Sequence, residues 1–377
     1  VHTNPKVENR RLRVGFISGD LNAHPVSNFV EPIWSALRNS SLEIWAYYAH
    51  GFQDEMTARL KQVTENWRQV ELLNDDQLSS TIIEDKIDVL IDLSGHTANN
   101  RLPCFARKPA PVQASWIGNP NTTGLSAVDY YLADPYSAPP GLLDNQFTEK
   151  IVQLPSGPLF KPFSKAPAIS PPPAFENGYL TFGTYSRPDK VSHATVSIWA
   201  DTLRSIPTSR MRFIGYPDDA RNNAIRRFFE KNGISGERIS FFPRYEMSEY
   251  LSSHAMVDIV LDTMPFSGGT TTCHAAWMGV PTLTMPGMTL SSRSSTIVNL
   301  NIGLGDFVVQ NREAFVARAG EIAIDFAFLA DLRSQLRHRL TASALNNPNQ
   351  VAAWFELAVR HMWTTWCQGK HPVSFRI

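Results

Sequence analysis

What this chain lacks narrows it first. Its 377 residues hold only three cysteines, Cys104, Cys273 and Cys367, far apart, odd in number and without a Cys-x-x-Cys. That excludes a disulfide framework or a cysteine zinc site and suits a reducing compartment, so a cytoplasmic location is expected. No run of about 18 apolar residues exists, so no transmembrane helix and no membrane partner are expected. The opening Val1-His2-Thr3-Asn4-Pro5 has no signal-peptide pattern, and a start at Val fits a piece of a longer protein. Net charge is absent too: 35 basic residues balance 35 acidic ones, and no Lys/Arg run exceeds two residues. A general nucleic-acid binder needs a basic excess, so that class is excluded. No Asp-x-Asp or HExxH is present to hold a metal. Neither is a GxSxG elbow, a GxGxxG fingerprint or a P-loop lysine.

With 43% hydrophobic and 19% charged residues, the chain is neither disordered nor charge-extended. Its length suggests two domains. Strand-like and helix-like segments alternate along both halves, which predicts βαβ units on parallel sheets. Strands are expected at 12–18, 43–49, 68–72, 88–93, 112–117 and 129–133. Helices are expected at 28–37, 54–67 and 76–85. A proline-dense run from Pro155 to Pro173 then forbids a helix or a central strand and marks the boundary. The alternation restarts with strands at 178–184, 211–215, 238–242, 257–261 and 281–285. Helices are expected at 191–204, 218–232, 248–254, 272–278, 291–300 and 312–340, with an apolar-aromatic helix at 349–368. The expected division is therefore 1–160, a linker at 161–178, 179–345, and a C-terminal helix and tail at 346–377. Two doubly wound domains would point their strand-end loops into a cleft.

Those loops carry the chemistry. Asp262-Thr263-Met264-Pro265-Phe266-Ser267-Gly268-Gly269-Thr270-Thr271-Thr272-Cys273-His274 follows a strand and opens a helix. Gly268 and Gly269 permit close backbone approach, and the threonines add hydroxyls beside free N–H groups, a combination that suits a phosphate or diphosphate. A glycine turn with a threonine cap is the plainer alternative. A second strand-to-helix loop, Phe182 to Lys190, supplies Arg187 and Lys190, two cations fit to neutralise a diphosphate or simply to be solvated. In the first half, Ser18 to Pro25 places His24 at a strand end, where a general base belongs or where a histidine caps a helix. Leu93 to Arg101 carries His96, and Trp116 to Gly124 carries Gly118 and Pro120. Loops of Gly, Asn, Thr and His describe a polar pocket such as a sugar needs.

Taken together these loops resemble glycosyltransferase family 41, the protein O-GlcNAc transferases and SPINDLY-type proteins. The resemblance runs from about Leu12 to Trp363. It rests on Gly15-Phe16-Ile17-Ser18-Gly19-Asp20 with His24-Pro25, and on Ser94 to Asn100. It rests also on Pro109-Ala110-Pro111-Val112-Gln113, on Trp116 to Pro120, and on Asp262 to Gly279. It implies an α/β GT-B architecture of two Rossmann-like domains, and chemistry without a metal or other cofactor. It implies that Lys190 contacts the donor diphosphate and that His24 is the active-site histidine. By the same resemblance, Thr270 and Thr271 hold phosphate. Tyr250 stacks beside the base, Tyr245 reads its edge through the backbone, and His96, Gly118 and Pro120 fall in the sugar and acceptor pocket.

The sequence departs from the family pattern at three places. Arg187 stands for a Gln, Gly269 for a His, and His274 for an acidic ribose-binding residue. The GHTANN and GTTTC strings lean toward the SPINDLY branch, some of whose members use GDP-fucose. The expected function is an inverting, metal-independent glycosyltransferase moving GlcNAc from UDP-GlcNAc to protein Ser/Thr hydroxyls. Its partners are a nucleotide sugar and a protein acceptor, with a tetratricopeptide region expected upstream. Rival readings are a GDP-fucose-dependent O-fucosyltransferase, a nucleotide-sugar 2-epimerase and a catalytically silent peptide-binding module.

Overall fold

The computed structural model describes residues 2–157, 159–217 and 220–377. The chain forms two compact units, Val1–Lys161 with Ala344–Ile377, and Pro162–Ser343. Each is described by itself.

The first unit is an all-parallel sheet built from β1 (Leu12–Ser18), β2 (Leu42–Tyr48), β3 (Asn66–Gln69), β4 (Val89–Asp92), β5 (Val112–Ser115), β6 (Tyr130–Ala133) and β7 (Lys150–Gln153). Its order is β3-β2-β1-β4-β5-β6-β7, closed by a last strand, Phe375–Arg376. That is the doubly wound order, which reverses between β1 and β4. β4 and β5 are wholly buried, as strands covered on both faces must be, and β5 buries Gln113 and Ser115 with its apolar residues. The helix Pro25–Leu37 follows β1 and turns Val26, Val30, Ile33, Trp34 and Leu37 onto the sheet at helical spacing.

The C-terminal segment corrects the expected division. The helix Pro348–Cys367 is not a separate appendage: Phe355, Val359, Met362 and Trp363 lie in the core of the first unit. Phe355 stacks on Trp116 with ring centroids 4.8 Å apart. Phe375 then pairs with Val152 of β7. A helix with so wide an apolar face must bury it, and this sheet offers the surface.

The second unit holds β8 (Thr181–Thr184), β9 (Arg210–Ile214), β10 (Ile239–Phe242), β11 (Ile259–Leu261) and β12 (Thr282–Leu283). All pairs are parallel, in the order β10-β9-β8-β11-β12, so this sheet also reverses beside its first strand, between β8 and β11. The proline-dense run ends in a short helix, Ala174–Asn177, closed by Gly178 at φ 72°. Arg333 is buried behind it and donates to the carbonyls of Ser170, Val257 and His254.

Several expected elements shift. The helix expected at 54–67 stops at Val63, and Trp67 joins edge strand β3, its ring against Tyr48. The helix expected at 312–340 is two, Arg312–Ala323 and Phe326–Ala342, because Asp325 caps the second by accepting from the Phe328 amide. The helix expected at 272–278 starts at Thr270. That expected at 218–232 is described as Ala220–Lys231; Asp218 and Asp219 lie outside the described residues, as do Val1 and Pro158. The helix Leu102–Ala106 and strand β7 had no sequence expectation. No helix among the described residues is long and apolar enough to cross a membrane.

Candidate active site

Doubly wound sheets bind ligands where the strand order reverses. In the second unit that point is between β8 and β11, and the loops leaving both strands meet there. Ser186 Oγ lies 3.1 Å from Thr263 Oγ1, and Ser192 Oγ donates to the Met264 carbonyl at 2.6 Å. Lys190 Nζ donates to the Ser267 carbonyl at 3.3 Å and sits 4.0 Å from the centre of the Phe266 ring. Beside these loops opens a cavity of about 990 Å³.

Six residues expected at a nucleotide-sugar site line that cavity: Arg187, Tyr245, Tyr250, Thr270, Thr271 and His274. Arg221, Arg244 and Tyr185 join them, none of which the sequence had singled out. Four other expected residues stand behind or beside the lining. Thr272 is buried, and its hydroxyl lies 2.8 Å from Ser295 Oγ, which donates to the Gly268 carbonyl. It therefore braces the loop rather than facing a ligand, which corrects its grouping with Thr270 and Thr271. Gly268 is needed for packing, since a Cβ there would stand 2.7 Å from Thr271 Oγ1 and Thr272 Oγ1. Gly269 precedes the helix Thr270–Trp277, whose start has no side-chain cap, so its first amides are available to an anion. Lys190 is half-buried beside the cavity, held by the loop contacts above.

The cavity combines cationic and aromatic groups. Burial lowers the Lys190 ammonium to about 8, with Asp262 pulling the other way and Arg187 adding to the fall. Burial also lowers His274 to about 4, so the ring is neutral near pH 7. His274 Nδ1 lies 3.4 Å from Tyr250 Oη. The Tyr250 ring stands edge-on to His274, Tyr185 and His254 at 5.2–5.4 Å. Tyr185 in turn stacks flat on His254 at 4.0 Å. These contacts give the cavity a fixed aromatic wall.

Beneath the glycine loop lies Asp262. It is buried, and its Oδ1 accepts from the amides of Thr263 (2.9 Å) and Gly268 (2.8 Å). Its Oδ2 accepts from Thr284 Oγ1 at 2.6 Å. Asp92 holds the same station in the first unit, at the end of β4. It accepts from the amides of Ser94 and Gly95 and from Ser115 Oγ. Both close an Asp, three apolar residues, Asp pattern, Asp88–Asp92 and Asp258–Asp262, which was the unread signal.

In the first unit the reversal falls between β1 and β4; His24 and His96 follow those two strands, and Gly118 and Pro120 follow the neighbouring β5. A Cβ on Gly19 would stand 2.6 Å from that of Asn99, and one on Gly118 would stand 2.7 Å from the Ser94 carbonyl. Three loops are thus packed backbone to backbone. His96 Nε2 donates to the Thr122 carbonyl at 3.0 Å, which makes Nδ1 an acceptor in the neutral ring. His24 caps the helix Pro25–Leu37, its Nδ1 accepting from the Val26 amide at 3.3 Å. Pro120 is half-buried in the loop after Gly118. Among the described residues no three His, Cys, Asp or Glu side chains converge as a metal site needs.

The sequence model of glycosyl transferase family 41 matches residues 1–160 and 176–354. The chain belongs to glycosyl transferase family 41. This family-41 chain is 33% identical over 383 residues to a rice protein named as a probable UDP-N-acetylglucosamine–peptide N-acetylglucosaminyltransferase SPINDLY, covering 99% of this chain and 41% of that one. It is 23% identical over 478 residues to the UDP-N-acetylglucosamine–peptide N-acetylglucosaminyltransferase of Caenorhabditis elegans, covering 96% and 41%. The chain therefore spans about two fifths of the length of these relatives. Among solved structures, an O-GlcNAc transferase mutant of Thermobaculum terrenum superposes with a TM-score of 0.90 at 34% identity, covering 98% of this chain and 71% of that one. A sucrose-phosphate synthase from Thermosynechococcus elongatus, at TM-score 0.57 and 12% identity, shares the fold alone. The family-41 fold is of the expected GT-B class, with two Rossmann-like units.

Proposed function

We propose that this chain carries the catalytic region of an inverting, metal-independent glycosyltransferase that moves GlcNAc from UDP-GlcNAc to protein Ser/Thr hydroxyls in the cytoplasm. The observation that carries it is one cavity, at the sheet reversal of the second unit, lined by both anion-binding and ring-stacking groups. Guanidinium groups of Arg187 and Arg244 and the open helix start at Thr270-Thr271 suit a diphosphate. The rings of Tyr245 and Tyr250 suit a nucleobase. The names of the rice and nematode relatives support UDP-GlcNAc as donor.

In this reading the acceptor oxygen bonds to the anomeric carbon as the bond to the diphosphate breaks, and the diphosphate leaves with the electron pair. Lys190, Arg187 and the helix start lower the energy of that departing charge, which grows only on the way to the transition state. No divalent ion is needed to hold it. The acceptor proton passes to water. His24, whose outward nitrogen carries hydrogen in the neutral ring, orients the acceptor rather than deprotonating it.

A thermal-shift screen with UDP, GDP, UDP-GlcNAc and GDP-fucose, followed by intact-mass analysis of an acceptor peptide with EDTA present, tests this reading. UDP and UDP-GlcNAc should raise the melting point and the peptide should gain one N-acetylhexosamine. Stabilisation by GDP and GDP-fucose alone would move the donor to fucose. No response to any nucleotide would sink the enzyme reading.

A further inference from the structure

Glu149 stands just before β7 and is almost wholly shut away from water, at 3% exposure. A carboxyl group is costly there unless donors meet its oxygens. They do. Oε1 accepts from the Thr123 amide at 2.7 Å and from the Thr123 hydroxyl. Oε2 accepts from the Thr122 hydroxyl at 2.6 Å and from the Thr148 hydroxyl at 3.1 Å. The Thr122 hydroxyl is not free to turn round. Its oxygen already takes the Gly124 amide at 3.0 Å and the Thr148 amide at 3.3 Å, which fill its two lone pairs, so its own hydrogen must go to an acceptor. The nearer acceptor is Glu149, since Thr148 Oγ1 lies at 3.2 Å. A glutamine of the same shape would set an N–H against an oxygen with no lone pair left.

What Glu149 secures is the far end of the loop that follows β5. The near end of that loop is tied to the loop after β4, where the Asn119 amide donates to the Ser94 carbonyl at 3.0 Å. Thr122 ties the far end to the same neighbour, its carbonyl taking the hydrogen of His96 Nε2 at 3.0 Å. One residue thus gives its hydroxyl to Glu149 and its carbonyl to His96. His96 is exposed, and no other hydrogen bond among the described residues orients its ring. A carbonyl can only accept, so while Thr122 is held the neutral ring carries its hydrogen on Nε2 and offers Nδ1 as an acceptor. We infer that Glu149 is a positioning residue for His96: through Thr122 it fixes the tautomer and direction of the imidazole, so that Nδ1 receives a hydroxyl of the sugar or of the acceptor. This rests on the transferase reading above and on the sugar and acceptor pocket that the family resemblance implies for His96.

The test uses the whole chain with ¹⁵N in its histidine rings, and His96→Ala identifies the His96 signals by their loss. At the alkaline limit of a titration the wild type should show His96 as one tautomer, with hydrogen on Nε2. Glu149→Gln and Thr122→Val should each turn it into a mixture, whereas Thr122→Ser, which keeps the hydroxyl, should not. A mixture in the wild type, or an unmoved Nε2 tautomer in both Glu149→Gln and Thr122→Val, would overturn the inference. If Glu149→Gln fails to fold, the Thr122→Val arm decides alone, since Thr122 is only half-buried. Transfer from UDP-GlcNAc to a peptide gives the second readout. Thr122→Val should lower kcat/KM by roughly threefold to tenfold, about the worth of one hydrogen bond, and should cost nothing further in His96→Ala, because both act through one ring. Additive losses would leave Glu149 and Thr122 a structural role and overturn the inference. In His96→Ala, a raised KM for UDP-GlcNAc with unchanged affinity for UDP identifies the sugar hydroxyl, and a raised KM for the peptide identifies that of the acceptor. A wild type that transfers no sugar defeats the transferase reading instead, and the tautomer still decides whether Glu149 governs His96.

Discussion

His24 Nδ1 stands 3.3 Å from the Val26 amide, and that bond decides which ring nitrogen faces outward. An N–H can only donate, so Nδ1 accepts and the neutral ring carries its hydrogen on Nε2. Asp20 Oδ2 lies 3.8 Å from the same Nδ1, an ion pair only once the ring is protonated. Asparagine is also a good helix cap, so His24→Asn should keep the melting point, whereas His24→Ala should lose about 1 kcal/mol of stability. Turnover in His24→Asn should fall by less than tenfold. A loss of roughly 10²-fold or more, the contribution of a general base, would show that the ring takes a proton after all.

Lys190 should separate activity from stability. Among the described residues its head group contacts the Ser267 carbonyl and the Phe266 ring. Lys190→Met should cut kcat by about 10²-fold or more, in the range of a lost transition-state charge partner. Unfolding stability should stay within about 0.5 kcal/mol. Wild-type turnover in that variant would remove Lys190 from the mechanism.

The same lysine sets a pH dependence. Its ammonium is lowered from 10.5 to about 8 in the folded chain, with burial the chief cause. Between those values the unfolded chain holds the proton and the native one does not, so this group makes the fold more stable as pH rises through that window. Anion binding runs the other way. The affinity for UDP, and kcat/KM with it, should fall as pH rises through about 8, and Lys190→Met should lack that limb. A flat profile to pH 9 in the wild type would contradict the assignment.

The three adjacent threonines should divide by role. Thr272 is buried against Ser295, so Thr272→Val should cost about 1–2 kcal/mol of stability by removing its buried hydrogen bond to the Ser295 hydroxyl. Thr270 is exposed at the cavity, so Thr270→Val should weaken UDP binding with an unchanged melting point. Urea unfolding and calorimetry on the two variants check this, and an identical response from both would refute the division.

Glycines divide in a similar way. Gly118→Ala would press a Cβ against the Ser94 carbonyl at 2.7 Å and should destabilise by about 1–3 kcal/mol. Gly269→Ala meets nothing closer than Ser294 Cβ at 3.7 Å and should fold normally. Thermal melts of the pair would reveal the contrast or its absence.

Most strands of both units were legible because parallel strands buried on both faces are written as apolar runs, such as Val89-Leu90-Ile91 and Ile259–Leu261, while β7 was not. Edge strand β3 was not, since Asn66-Trp67-Arg68-Gln69 has only Trp67 to mark it and continued a helical pattern. The division of the chain misled because an apolar face at 349–368 announces burial without naming its partner. Loop residues were legible as chemistry but not by direction. Thr270, Thr271 and Thr272 read alike in one dimension, and only the turn of the helix sends the third inward. Asp262 was quoted as the start of a loop, and its role needed the fold to bring the Gly268 amide and Thr284 beneath it.

The return of the last helix to the first unit has a bearing on synthesis. A ribosome makes Trp116 long before Phe355, the ring it stacks upon, and β7 long before the strand at Phe375. Pro162–Ser343 is one uninterrupted stretch and can fold as it emerges. The first unit must instead wait with part of its apolar sheet uncovered until the far end of the chain arrives. The half that is begun first is completed last, and during that interval part of its apolar sheet stays open to water.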